Sequence, residues 1–205
     1  MTDQLEEIEL ESEETEIPIE PSAAKSYICM WDDALPPDYC KETINLFGES
    51  WPRRISEDKE NNFGYFELDI LDPKLLERNP RWREISYFAL QRLQRYSELY
   101  RQFYRIEFFP SQAVNEQLIM RKYIPRDEHP YHSDVMTGDD SKRFLTINFF
   151  LNDTEEGQYT LPDYNIGVES RTGRLLIHPS FWTHPSQLTP SKEDRYVIST
   201  FLRYQ

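Results

Sequence analysis

Cysteine, basic residues and long apolar runs are all scarce in this 205-residue chain. Two cysteines, Cys29 and Cys40, are too few for a disulfide framework, and their spacing matches no thiolate metal motif. A reducing, cytoplasmic setting is therefore expected. No apolar run approaches the ~20 residues that span a bilayer, so no membrane partner is expected. The amino-terminal segment lacks the basic flank and apolar stretch of a secretory signal. Bases number 23 against 37 acids, a formal net charge of -14. Residues 1–24 carry nine of those acids and no base, leaving 28 acids and 23 bases in the rest of the chain. The imbalance is mostly a tail, and a body at -5 disfavours nucleic acid as a partner.

Aromatic side chains make up 14% of the chain, enough for a packed core. Residues 1–24 read as a disordered acidic tail in which Pro18 and Pro21 oppose a helix. Residues 25–205 read as one domain, with helical support over 25–116 and a β-rich core over 117–205. A short strand is expected over residues 26–31 and a helix over residues 36–48, opened by Pro36 and Pro37 and stopped by Gly48. Residues 53–64 lack periodicity and read as a loop. The clearest helix covers residues 80–105. There Trp82, Ile85, Ala89, Leu93, Tyr96, Tyr100 and Phe103 form one apolar stripe. The same stretch is basic and could attract the acidic tail, although solvated charges explain it equally. Beyond Phe108, short β-type runs fall at 117–123, 144–151, 157–161, 165–169, 174–178 and 196–203. Turn formers separate them, as in a sandwich, jelly roll or barrel.

All four histidines, His129, His132, His178 and His184, lie between residues 129 and 184. In a strand, residues i and i+2 share a face, so His132 and Asp134 can converge on one metal. With one distant histidine such a pair makes the facial triad of non-haem Fe(II) oxygen chemistry. A lone His-x-Asp occurs readily by chance, so its context decides. Met120-Arg121-Lys122-Tyr123-Ile124-Pro125 precedes it. Arg143-Phe144-Leu145-Thr146-Ile147-Asn148-Phe149-Phe150-Leu151-Asn152 follows, and then Glu156-Gly157-Gln158-Tyr159-Thr160-Leu161-Pro162. Next come Gly173-Arg174-Leu175-Leu176-Ile177-His178-Pro179, His184, and Arg195-Tyr196-Val197-Ile198-Ser199-Thr200-Phe201-Leu202.

This series resembles the catalytic domain of the prolyl 4-hydroxylase-like, Fe(II)- and 2-oxoglutarate-dependent dioxygenases, motif by motif over residues 117–205. The resemblance implies a mainly β fold, a double-stranded β-helix (jelly-roll) core buttressed by N-terminal helices including one long helix. It implies Fe(II) held by His132, Asp134 and His184, with a separation between the two histidines typical of the family. The far carboxylate of 2-oxoglutarate would meet Arg195, whose planar guanidinium suits paired charge-assisted hydrogen bonds. Tyr123 would add a hydrogen bond in the cosubstrate pocket. Thr146, Asn148 and Phe150, and likewise Arg195, Val197 and Ser199, alternate along their strands and so line the interior. The implied reaction uses O2 as cosubstrate, with ascorbate admitted as a reductant. It releases succinate and CO2 and hydroxylates a C–H bond.

The sequence departs from the family in three places. Arg195 follows His184 at a slightly longer spacing than is common; a single insertion within positions 185–194 would absorb the difference. Phe150 replaces a frequent tyrosine whose hydroxyl holds the far carboxylate, a role Thr146 could take. Gln158-Tyr159 interrupts the usual double-glycine and acidic pattern. Plainer readings stand beside these. His129 reads as solvated, and Tyr123 could be a core tyrosine. His178 reads as a core histidine or one supporting the metal ligands. Facing the metal it would compete with His184, which the family pattern opposes. Residues 53–64 and 135–143 read equally as lids or as ordinary loops.

The leading expectation is hydroxylation of a prolyl residue in a peptide or protein substrate. Alternatives are a hydroxylase of a free amino acid or small metabolite, and a nucleic-acid demethylase. A non-catalytic jelly-roll binding module is a further one. A zinc hydrolase on the same three ligands would leave Arg195 unexplained.

Overall fold

The computed structural model describes residues 20–56, 64–136 and 138–205. The described chain opens with strands β1 (Ala23–Lys25) and β2 (Ile28–Trp31), followed by helix α1 (Pro37–Glu49). A hairpin, β3 (Arg53–Ser56) and β4 (Gly64–Asp69), leads to α2 (Pro73–Arg78) and the long α3 (Arg81–Phe103). Then come β5 (Ala113–Asn115), β6 (Ile119–Tyr123), β7 (His129–His132) and β8 (Arg143–Phe150). The remaining strands are β9 (Gln158–Leu161), β10 (Ile166–Glu169), β11 (Leu175–Pro179), β12 (Ser186–Leu188) and β13 (Arg195–Tyr204).

The strands form two antiparallel sheets. The larger runs β1-β2-β11-β8-β13-β6-β4-β3, with β5 also on β13; the smaller runs β10-β9-β12-β7. Facing each other, they make the expected jelly roll. Its central strand β8 is buried along nearly its whole length, because each face has its own cover. Phe150 joins Ile28, Leu161, Val168, Leu176 and Val197 in a core between the sheets. Ile147, Phe149 and Ile198 instead pack toward α1 and α3 in the larger core. Strand alternation thus divides one apolar run between two cores.

Helix α3 supplies most of the outer cover. Trp82, Ile85, Ala89, Leu93, Tyr96 and Tyr100 are buried, as the stripe predicts, and Trp31 packs on Tyr96 with ring centroids 5.4 Å apart. Phe103 leaves the stripe, 40% exposed at the last turn. Three further expectations are corrected. Gly48 lies inside α1, which runs on to a cap at Ser50; there the hydroxyl donates to Leu46 O (2.7 Å) and accepts from Trp82 Nε1 (2.9 Å). Residues 53–56 are a strand, because β4 offers them a pairing edge that local composition does not reveal; residues 57–63 lie outside the described ones. The helical support also contributes sheet. β2, the strand expected over residues 26–31, pairs with β11, and the unforeseen β4 pairs with β6, so residues 25–116 complete the larger sheet as well as covering it. The acidic segment falls outside the described residues up to position 19, and Ala23 already belongs to β1. No helix among the described residues is long and apolar enough to cross a membrane.

Candidate metal and cosubstrate site

Between the sheets lies a cavity lined by Arg121, Tyr123, His132, Asp134, Asn148 and Tyr159, with Thr146, Val197 and Ser199 beside them. It encloses about 50 Å³, space for one or two water molecules at about 30 Å³ each. One end is held by His132 at the end of β7 and Asp134 just beyond it. His132 Nε2 stands 3.3 Å from Asp134 Oδ1. His132 Nδ1 lies 2.8 Å from Pro130 O. A carbonyl only accepts, so Nδ1 carries a hydrogen and Nε2 faces the carboxylate. That is the tautomer a metal ligand needs, its second nitrogen fixed by a backbone carbonyl. Asp134 Oδ2 accepts from Thr146 Oγ1 at 2.7 Å.

Burial opposes charge on both groups, and each counters that effect on the other. Against its desolvation, His132 is raised above 6.5 by the hydrogen bond and charge of Asp134. Asp134, likewise desolvated, is brought down to about 2 by His132, with smaller help from His178 and Thr146. The loop carrying β7 is pinned from outside. Arg54 donates two hydrogen bonds to Asp127 (2.6 and 2.8 Å), whose Oδ2 also accepts from Ile124 N.

Beneath the cavity lies Arg195, 1% exposed. It shares the parity of Val197 and Ser199 on β13, which places it one step further along the inward face. Its Nη1 donates to Thr189 O at 3.0 Å, while Nε and Nη2 are buried with no partner. Burial brings its pKa down to about 10. Gly157, at φ +65°, allows this packing; a Cβ there would collide with Arg195 Nη2 and Pro190 O. Tyr123 faces Arg195 in the β6–β13 register, and burial raises its phenol to about 12. A buried guanidinium with two unpartnered nitrogens has the donors to take an anion.

Of the expected residues, the structure brings His132, Asp134, Tyr123, Thr146 and Ser199 to one cavity and sets Arg195 below it. Thr146 supports Asp134, and Ser199 donates to Asn148 Oδ1 at 2.6 Å. His184 is not brought there. Its Nε2 donates to Ser26 O (3.0 Å), its Nδ1 pairs with Thr183 Oγ1, and its ring stacks on Tyr164. It lines a different cavity, with Tyr27, Tyr100 and Phe108. The physical reason is register. On β12 the residue opposite His132 is Ser186, two positions later, with its hydroxyl buried beside Tyr159. Among the described residues no three His, Cys, Asp or Glu side chains stand close enough to hold a metal ion. His129 is also corrected. It is half-buried against His132 and Tyr65, and desolvation brings it down to about 3. Sequence reasoning missed Ser186, although the commoner family spacing, counted back from Arg195, reaches it.

No protein-family model matches the chain, and no curated protein matches it in sequence. Solved structures do. A viral collagen prolyl hydroxylase from Paramecium bursaria Chlorella virus 1, in complex with 2OG, is similar at TM-score 0.67 and 13% identity over 88% of this chain and 97% of that one. A prolyl hydroxylase from Trichoplax adhaerens, in complex with a hypoxia-inducible-factor degradation-domain peptide, gives 0.65 and 16% over 86% and 83%. A Pseudomonas putida prolyl-4-hydroxylase gives 0.60 and 16% over 87% and 92%. The fold is that of the prolyl 4-hydroxylases. Within the prolyl 4-hydroxylase fold, the His132–Asp134 pair fits two metal ligands. The orphaned nitrogens of Arg195 fit a carboxylate, and His184 stands apart from both.

The buried histidines predict an acid response. Burial brings His178 down to about 4, whereas in an unfolded chain histidine protonates near 6.5. The unfolded state therefore binds the extra proton, and stability present above pH 6.5 is lost as pH falls toward 4. His178 accounts for about 2 kcal/mol of that loss between pH 7 and 5. His132 acts oppositely, its contribution complete below 6.5 and fading as pH rises through its raised value. Chemical denaturation of His178→Phe at both pH values is expected to show that much less acid destabilisation; an unchanged difference refutes the assignment.

Proposed function

We propose that the protein is an Fe(II)- and 2-oxoglutarate-dependent dioxygenase that hydroxylates a C–H bond of a prolyl residue in a peptide or protein. The observation that carries this reading is Arg195. A guanidinium excluded from water with two unpartnered nitrogens suits an anionic ligand, and it stands opposite Tyr123, which lines the cavity of the His132–Asp134 pair. When bound, Fe(II) and 2-oxoglutarate supply the O2-activating chemistry, releasing succinate and CO2. The chain's own part is positional. Arg195, with Tyr123 beside it, holds the far carboxylate, and the His132–Asp134 pair offers a nitrogen and an oxygen to the metal. The Thr146 hydroxyl fixes the carboxylate's orientation, and the apolar walls exclude bulk water. Tyr131 and Met136, exposed and flanking the pair in sequence, offer apolar contact to a peptide.

A second reading is a binding module that keeps the anion pocket without turnover. It is favoured by the orientation of His184, which is turned to Ser26 and Tyr164 and away from the His132–Asp134 pair. One experiment separates the two. Anaerobic Fe(II) with 2-oxoglutarate is expected to give a visible charge-transfer band, and proline-containing peptides are expected to stimulate succinate release. Saturable 2-oxoglutarate binding with neither band nor succinate establishes the module and overturns the dioxygenase.

A further inference from the structure

Two residues on the cavity wall carry buried side-chain donors without a partner: Arg121 at Nε and Asn148 at Nδ2. Neither is among the residues to which the family resemblance gives a role. They reach the cavity from opposite sides of β13. Arg121 on β6 is the Cα partner of Val197, and Asn148 on β8 is the Cα partner of Ser199. Val197 and Ser199 share the inward face of β13, and directly paired residues point to one face, so both donors enter the same interior. Asn148 is 4% exposed, and its Oδ1 accepts from the Ser199 hydroxyl at 2.6 Å. That bond fixes the amide's orientation and leaves Nδ2, which can only donate, without an acceptor.

Arg121 is held over the Tyr65 ring, 5.1 Å from its centroid. Glu67, its Cα partner on β4, gives its carboxylate to Arg53 at 2.8 Å. No ion pair among the described residues includes Arg121. Asp134, the carboxylate on the same cavity wall, is engaged at both oxygens, by His132 at 3.3 Å and by Thr146 at 2.7 Å. Two free donors, one of them cationic, therefore border an enclosed space of about 50 Å³, which admits a group of carboxylate size but not a whole side chain. An ionised carboxylate only accepts, and from a guanidinium it accepts charge-assisted hydrogen bonds. We propose that Arg121 and Asn148 form a carboxylate subsite separate from Arg195. Its occupant is the second carboxylate of a diacid whose far end Arg195 holds, or the carboxylate of a separate substrate molecule.

The subsite shares only the cavity with the dioxygenase reading, and it is tested in the metal-free full chain. Arg195→Met serves as background, so that an anion at Arg195 does not contribute. Acetate is titrated by calorimetry, with acetamide as the neutral control, while nuclear magnetic resonance follows the Asn148 side-chain amide protons. Acetate is expected to shift those protons saturably, and acetamide is expected not to. Adding Arg121→Gln is expected to weaken acetate at least tenfold. Adding Asn148→Asp keeps the acceptor for Ser199 and removes the free donor, and is expected to abolish binding; it keeps the proposal testable should Arg121→Gln fail to fold. No saturable shift, an equal response to acetamide, or an affinity that ignores both substitutions overturns the subsite and leaves the two donors to water. In wild type, 2-oxoglutarate that displaces acetate from the Asn148 amide assigns the subsite to the diacid, whereas simultaneous binding assigns it to a separate substrate. Acetate bound here by a protein that gives neither charge-transfer band nor succinate keeps the subsite and overturns the dioxygenase. Succinate release without any acetate shift does the reverse.

Discussion

Replacing Arg195 with methionine is expected to abolish 2-oxoglutarate binding while raising the melting temperature of the ligand-free protein. The two effects share one cause. A guanidinium that is 1% exposed, with Nε and Nη2 unpartnered, has given up water and received one hydrogen bond, to Thr189 O. Exchanging a buried ionic group for an apolar side chain of similar volume is often neutral or stabilising by about 1–4 kcal/mol. Methionine suits the exchange, being unbranched and able to fill an irregular gap. Binding moves the other way. Removing one partner of a buried charge pair costs about 2–5 kcal/mol, which is roughly thirty-fold to several thousand-fold in affinity. Calorimetry with 2-oxoglutarate and thermal unfolding of both proteins read the two effects separately. A methionine variant that melts lower and still binds the diacid would show that Arg195 is structural.

Asp134→Asn is expected to lose at least a hundredfold in divalent-metal affinity and to bring the pKa of His132 below 6.5. Asparagine keeps the shape and can still accept from Thr146, so the fold is expected to persist. What disappears is the negative charge. His132 is desolvated, and the hydrogen bond and charge of Asp134 are what chiefly hold its pKa up. Without them burial prevails and the imidazole is neutral at pH 7. Nuclear magnetic resonance titration of the His132 ring protons gives the pKa, and Co(II) calorimetry gives the affinity. Protons compete with a metal for the His132 nitrogen, so in wild type affinity is expected to climb as pH rises through the raised His132 value. A His132 that titrates identically in both proteins would refute the coupling.

How far the sequence carried depends on the distance over which each feature is decided. Helix α3 was legible because apolar side chains at 3.6 periodicity need only one flat partner, whatever that partner is. Strands β8 and β13 were legible for a related reason. Their inward sets, Thr146 and Asn148 with Val197 and Ser199, follow from strand alternation alone, and all four line the cavity. The strand at residues 53–56 was not legible, because nothing local distinguishes Arg53–Ser56 from a polar loop until β4 pairs with it. The place of His129 was missed similarly. A histidine before a proline in a charged stretch looks solvated, and only the approach of Tyr65 and His132 encloses it.

The jelly-roll class, the buttressing helix, the His132–Asp134 pair and the inward arginine on the last strand could all be read from residue order. The helix follows from spacing within one element, and the rest from the order of motifs that carries the family resemblance. Where His184 lies relative to that pair could not be read that way and emerges only from the packed sheets. His184 and Ser186 differ by two positions, and no periodicity separates them, since i and i+2 share a face. The choice lies in the register between β12 and β7, two strands far apart in the chain that meet where Ser186 pairs with His132. Hydrogen bonding between distant strands sets that register. It carries His184 out to Ser26 and Tyr164, away from the cavity that holds the His132–Asp134 pair.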